Sequence, residues 1–157
     1  MFTASSTELI TFSSKQNRLD CCFALIMDGI RSRGSYPSLM LSDFNLGEPK
    51  ASALLDAIIA NLHNVKLLNL QLNGNQLTDA IVEKIVLLLQ NPLCTLKFLN
   101  LSNNNITSAC IERIRNAIDS LPATSPIKNL QLDVDEDVIL KYKRAIEIEK
   151  KLTPTPL

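Results

Sequence analysis

The residues best placed to bind a metal are Asp133, Asp135 and Asp137, an alternating acidic run like the one that opens an EF-hand calcium loop. Such a loop needs Gly at its sixth place for the sharp turn and Glu at its twelfth for bidentate coordination. Val138 and Arg144 occupy those places, so the run reads as a charged turn and helix start. His63 is the sole histidine, which rules out a two-His or three-His zinc site within one chain. As a general base it would need one of Cys21, Cys22, Cys94 or Cys110 beside it. Its setting, Asn61-Leu62-His63-Asn64, reads instead as the end of a helix. Cys21 and Cys22 are adjacent and no C-x-x-C pair exists, so the cysteines read as reduced thiols that pack as small hydrophobes rather than as a disulfide or zinc framework. No G-x-x-x-x-G-K, G-x-G-x-x-G or G-x-S-x-G motif occurs, and four glycines leave little material for a phosphate cradle. Two sequons, Asn100-Leu101-Ser102 and Asn105-Ile106-Thr107, read as chance occurrences in an Asn-rich stretch. The expectation is a chain with no catalytic residue, no cofactor and no metal, whose chemistry is recognition.

Composition narrows what can be recognised. The 157 residues suit one domain, and 46% apolar content can fill one core. Sixteen basic and sixteen acidic residues give zero formal charge, so no global field draws the chain to nucleic acid or anionic lipid. Aromatic residues are 4% and Trp is absent, which leaves few platforms for stacking bases. The longest apolar stretches, Phe23–Met27 and Ile85–Leu89, are far too short to cross a bilayer. Met1 to Ser6 has no basic region leading into an apolar one, so the expected location is cytoplasmic.

The organising feature is an internal repeat. Leu67 to Leu77 reads LLNLQLNGNQL and Leu96 to Ile106 reads LKFLNLSNNNI, with starts 29 residues apart. The likeness continues through Thr78 and Thr107, Ala80 and Ala109, Val82 and Ile111, Ile85 and Ile114, and Leu89 and Ile118. Weaker copies begin at Thr7, Tyr36 and Ile127, so the starts 7, 36, 67, 96 and 127 are spaced by 29, 31, 29 and 31. The two central positions of each copy are apolar: Ile10 and Phe12, Leu39 and Leu41, Leu70 and Leu72, Leu99 and Leu101, Leu130 and Leu132. Alternation such as Leu99-Asn100-Leu101 predicts a strand, and Val82, Ile85 and Leu89 stand at helical spacing. One strand and one helix cannot cover their own apolar sides, so the units must stack.

This pattern resembles the leucine-rich-repeat family, in its long, ribonuclease-inhibitor-like subclass. The resemblance spans roughly residues 7 to 150, with the full L-x-x-L-x-L-x-x-N-x-[LI] motif only in the two central copies. It implies an α/β solenoid of about five repeats, with a curved parallel sheet on the concave side and helices on the convex side. The motif Asn lies where the strand turns away and can satisfy backbone groups freed there. In register that position holds Lys15, Phe44, Asn75, Asn104 and Asp135.

The outer copies are expected to act as caps. The first leads into a helix from about Arg18 to Arg31, with Leu19, Phe23, Ile26 and Ile30 inward, ended by Gly34 and Pro37. The last is followed by a capping helix over about 137–151, with Ile139, Tyr142, Ile146 and Ile148 inward, and then a Thr/Pro tail over 152–157. On this reading residues 1–157 are one domain that looks complete and carries no separate catalytic domain. Lys141, Lys143, Arg144, Lys150 and Lys151, interrupted by Glu147 and Glu149, read as a solvated helix face.

Residues between the core leucines point from the sheet into solvent and form columns across successive strands. The first column is Leu9, Ser38, Asn69, Phe98 and Asn129; the second is Thr11, Met40, Gln71, Asn100 and Gln131; the third is Ser13, Ser42, Asn73, Ser102 and Asp133. This amide-rich face, with Met40 and Phe98 as apolar exceptions, is the expected partner-binding surface. Its candidate residues are Met40, Asn69, Gln71, Asn73, Phe98, Asn100, Ser102, Asn129, Gln131 and Asp133. The function expected is non-enzymatic protein binding. Two settings fit: an intracellular scaffold or inhibitor, and a bacterial effector delivered into host cytoplasm, which short proteins of this family resemble. The alternative is the substrate-targeting part of a larger enzyme such as a ubiquitin ligase.

Overall fold

A computed structural model describes residues 15–135 and 145–151. In chain order the elements are α1 (Lys15–Arg31), β1 (Ser38–Met40), α2 (Gly47–Ala60), α3 (Leu62–Val65), β2 (Asn69–Gln71), a 3-10 turn (Asp79–Ile81) running into α4 (Val82–Gln90), β3 (Phe98–Asn100), α5 (Ser108–Asp119), a 3-10 turn (Pro126–Asn129) and β4 (Gln131–Asp133). Residues 145–151 are helical. The protein is a mixed α/β structure with one four-stranded parallel sheet in the order β1-β2-β3-β4.

Each strand is three residues long, with one inward residue between two paired neighbours. Leu39, Leu70 and Leu99 stand side by side in the pairing register, and all three are buried. The next inward residues, Leu41, Leu72 and Leu101, extend the ladder through their N–H groups. These donate to the carbonyls of Gln71, Asn100 and Asp133 at 2.9, 2.9 and 2.7 Å. The helices supply the other half of the core. Val82, Ile85 and Leu89 are buried on α4, Ile111 and Ile114 on α5, and Leu54, Leu55 and Ile58 on α2. All join one cluster with the strand leucines except Ile111, which is buried outside it. Successive helices α1, α2, α4 and α5 pack against one another in chain order, so they line up on the face toward which the leucines point.

Neighbouring helices are also clipped together on the surface. Asp20 of α1 pairs with Lys50 of α2, Asp56 of α2 with Lys84 of α4 at 2.6 Å, and Glu83 of α4 with Arg113 of α5. In each pair the earlier helix gives the acid and the later one the base. Such exposed pairs add little to stability.

Lys15, three residues before the expected helix start at Arg18, is already helical and does not fill an Asn-like turn position. The end of α1 is a Schellman arrangement. Gly34 N–H donates to the Gly29 carbonyl at 2.8 Å and Arg33 N–H to the Ile30 carbonyl at 3.1 Å. The left-handed residue is Arg33, at φ 64°, and not the expected glycine. Gly29 has a different task, since a Cβ there would lie 1.7 Å from the Tyr36 hydroxyl.

The last strand departs from the expected register. Leu99 pairs with Leu132, not Leu130, and Phe98 and Asn100 pair with Gln131 and Asp133. The repeat is stretched by two residues because the chain spends Pro126–Asn129 in a 3-10 turn, opened by Ser125 Oγ accepting from Ile127 N–H at 3.3 Å. Ile127 still fills the core slot, at 1% exposed, while Leu130 and Leu132 are half-buried. Within the expected C-terminal helix, Ile146 is half-buried but Ile148 is 58% exposed, so Ile148 does not face inward. The expected strand around Ile10 and Phe12, and Ile139 and Tyr142, lie outside the described residues.

Candidate functional site

The open face of the sheet carries the residues left over once the leucines are buried. Its first column is Ser38, Asn69, Phe98 and Gln131, and its second is Met40, Gln71, Asn100 and Asp133. Gln131 therefore moves from the second column to the first. Asp133 moves from the third to the second. Asn129 leaves the face altogether, because it ends the 3-10 turn before β4. All three corrections follow from the two residues absorbed at Pro126. Asn73 and Ser102 keep their expected place just beyond the strands, where the ladder continues: Asp43 N–H donates to the Asn73 carbonyl at 3.0 Å and Gly74 N–H to the Ser102 carbonyl at 3.1 Å. Leu9, Thr11 and Ser13 are outside the described residues.

Side chains on this face are partly held by one another. Gln71 Nε2 donates to Asn69 Oδ1 at 2.6 Å, and Asn69 Nδ2 lies 3.7 Å from Met40 Sδ. Ser42 Oγ donates to Asn73 Oδ1 at 2.7 Å. Asn100 Oδ1 accepts from both the backbone N–H and the hydroxyl of Ser102, at 3.0 and 2.7 Å. These contacts fix the amides, and Asn100, whose oxygen already accepts twice, is left with only its N–H group to offer a partner. Two apolar side chains stand out from it: Met40 is 60% and Phe98 45% exposed. Phe98 sits on β3 between Asn69 of β2 and Gln131 of β4.

Behind the face, a ladder of asparagines holds the turns. Asn75 is fully buried. Its Oδ1 accepts from Phe44 and Leu46 N–H, and its Nδ2 donates to the carbonyls of Leu41, Leu72 and Asn73. Asn104 repeats the arrangement 29 residues later, accepting from Asn75 and Leu77 N–H and donating to Leu72, Leu101 and Ser102. Phe44 holds the equivalent position one unit earlier but contributes only its backbone N–H, which donates to Asn75 Oδ1 at 3.0 Å. Asp135 is exposed and takes a different part, its Oδ2 accepting from Asn103 N–H at 2.5 Å.

A second ladder was not read from the sequence. Glu48 accepts from the backbone and hydroxyl of Thr78, and Asp79 accepts from the backbone N–H and hydroxyl of Thr107 at 2.7 and 2.9 Å. Thr107 also caps α5, its Oγ1 accepting from Cys110 N–H at 3.4 Å. The paired Thr78 and Thr107 were visible as a repeat; their acidic partners lie in the preceding unit and share no fixed residue type. The Thr107 backbone N–H holds the Asp79 carboxyl below its ordinary pKa of 3.8. The Lys50 ammonium and the Gln16 amide do the same for Asp20. A depressed carboxylate stabilises the fold above its unfolded pKa, and that stability is lost as pH falls through the folded value. Thermal unfolding scanned from neutral pH downward is therefore expected to show Asp79→Ala less stable than the parent at neutral pH, with the gap closing as pH falls below 3.8. A gap constant with pH would assign Asp79 no such role.

The residues of possible chemical reactivity do not converge. His63 is exposed on α3, its Nε2 3.2 Å from Asn64 Nδ2. Cys94 is buried, and burial pushes its thiol pKa up, which makes it a poor nucleophile. Among the described residues no group of three or more His, Cys, Asp or Glu can hold a metal, and no helix is long and apolar enough to cross a membrane. The site and fold define a mixed α/β protein with one open sheet face. The chain matches no protein-family model, and no curated protein matches it.

Proposed function

We propose that this chain is a leucine-rich-repeat solenoid that binds a partner protein, without catalysis, through the open face of its sheet. The observation that carries the reading is Phe98, an aromatic ring 45% exposed in the middle of a parallel sheet, set among amides already fixed by their neighbours. The two asparagine turns, repeated 29 residues apart with the same five kinds of bond, support the repeat. Regularly stacked units give a curved sheet whose inner side is concave. A face ordered before the partner arrives loses little conformational entropy on binding, which favours affinity.

The test compares the protein with a Phe98→Ala, Gln71→Ala, Asn100→Ala variant in affinity capture from a cell lysate, then in titration with the captured protein. Truncating a central aromatic anchor costs about 2 kcal/mol or more. The variant is expected to lose at least about thirtyfold in affinity while keeping its circular dichroism and urea midpoint. A partner bound equally by the variant moves the site to the helices or an edge, and capture of nothing specific removes the reading.

A further inference from the structure

The sheet is not electrically uniform from end to end. Lys66 stands three residues before β2 and Lys97 immediately before β3. Both are exposed, and neither has an ion-pair partner among the described residues. Lys97 is seated on the neighbouring unit, its N–H donating to the Leu68 carbonyl at 2.8 Å, and Leu68 is itself 38% exposed. Phe98 follows directly. At the opposite ends of the strands the charges are acidic: Asp43 beyond β1, and Asp133 and Asp135 at and beyond β4, all exposed. Lys97 directly precedes Phe98 and Lys66 lies two residues before Leu68, so both lysines and both exposed apolar residues stand at the N-terminal ends of the adjacent strands β2 and β3.

We infer that the partner presents an acidic peptide segment built around a large apolar residue. The apolar side chain seats on Phe98 and Leu68, and carboxylates on either side of it meet Lys66 and Lys97. This rests on the open-face reading above. Charge complementarity carries it: at the feet of β2 and β3 both free charges are positive, while the acids at the far ends repel an acidic segment and so fix where along the strands it lies. The Asn100 oxygen already accepts twice, so that amide offers N–H, which favours carboxylates and carbonyls over cations.

The probe is a pair of fluorescein-labelled synthetic peptides, Glu-Glu-Leu-Phe-Glu-Glu and its all-lysine counterpart Lys-Lys-Leu-Phe-Lys-Lys, titrated by anisotropy against the full chain. The acidic peptide is expected to bind at least about tenfold more tightly. Its affinity is expected to fall about tenfold in the Lys66→Glu, Lys97→Glu variant, and to weaken as added salt shortens the Debye length from about 10 Å to about 3 Å. Lys66→Gln, Lys97→Gln keeps the fold under less strain and is expected to give an intermediate loss. Equal binding of the two peptides with loss in Phe98→Ala keeps the open face but overturns the acidic partner. Binding unaffected by Phe98→Ala and by both lysine variants overturns the open face as well. Failure of the acidic peptide to bind overturns the inference. So does preferential binding to vesicles of phosphatidylserine with the same lysine dependence, which would make the partner a membrane surface.

Discussion

Asn75→Ala is expected to lower the unfolding free energy by about 4 kcal/mol, the largest effect of any single polar substitution among the described residues. The side chain is fully buried and joins two turns. Its removal strips acceptors from the N–H groups of Phe44 and Leu46 and a donor from the Leu41 carbonyl, bonds of 3.0, 3.2 and 2.8 Å. The Leu72 carbonyl retains Asn104 Nδ2 at 3.1 Å and suffers less. Leaving a buried backbone group unpaired costs about 1–3 kcal/mol, and relaxation recovers part of the sum. A domain of this kind has about 5–15 kcal/mol in all, so the variant would be near the edge of folding. Asn75→Asp separates the amide from mere polarity. A carboxylate keeps the two accepted bonds but sets negative oxygen against three carbonyls, so it is expected to be at least as damaging at neutral pH. Asn104→Ala, at a half-buried position that water can reach, is expected to cost about 2 kcal/mol. Urea unfolding with an unchanged slope is the measurement. A loss under about 1 kcal/mol for Asn75→Ala would remove the ladder from the account of how the turns are held.

Leu70→Ala is expected to cost about 3 kcal/mol, within the range for a leucine deleted from a filled core. Leu70 is fully buried at the centre of the sheet, with Leu39 on one side and Leu99 on the other. The neighbouring Gln71, on the open face, is expected to change stability by no more than about 0.5 kcal/mol on replacement by Ala. Leu132 holds the same inward place on β4 but is only half-buried, so Leu132→Ala is expected to cost about 1–2 kcal/mol. The ordering Leu70, Leu132, Gln71 is read from urea midpoints. If Leu132→Ala matched Leu70→Ala, the graded burial from the middle of the sheet to β4 would not govern its stability.

The central units were legible because their apolar spacing admits one arrangement. In Leu67 to Leu77 and Leu96 to Ile106 the inward leucines, the turn asparagine and the helical residues that follow recur at one spacing. A shift of one residue would put leucines in water. The inward set Leu39, Leu70 and Leu99 and the open-face residues Met40, Asn69, Gln71, Phe98 and Asn100 therefore stand where the alternation put them. The purpose of Asn75 was legible for the same reason, since a polar residue between two strictly apolar positions must be satisfied by backbone.

Where the pattern weakened, spacing ceased to decide. Ile127, Leu130 and Leu132 fit the repeat with starts 31 residues apart, but Ser125 and Pro126 start a 3-10 turn, and the pairing slips by two. Both registers place leucines inward, because a shift of two preserves the alternation. Local turn chemistry and the bond from Leu101 N–H to the Asp133 carbonyl chose between them. That slip removed Asn129 from the open face and brought Asp133 into its second column. The acidic partners of Thr78 and Thr107 and the pairing of Asp20, Asp56 and Glu83 with the next helix were likewise decided by tertiary structure. Each depends on which unit packs beside which, about 30 residues away in the chain. The sequence by itself determined the alternation, the buried leucines and the asparagine that serves the turns, because burying apolar surface and pairing buried backbone leave little choice. Tertiary structure alone decided the final register and the distribution of charge along the open face, because those follow from neighbours that no local spacing names.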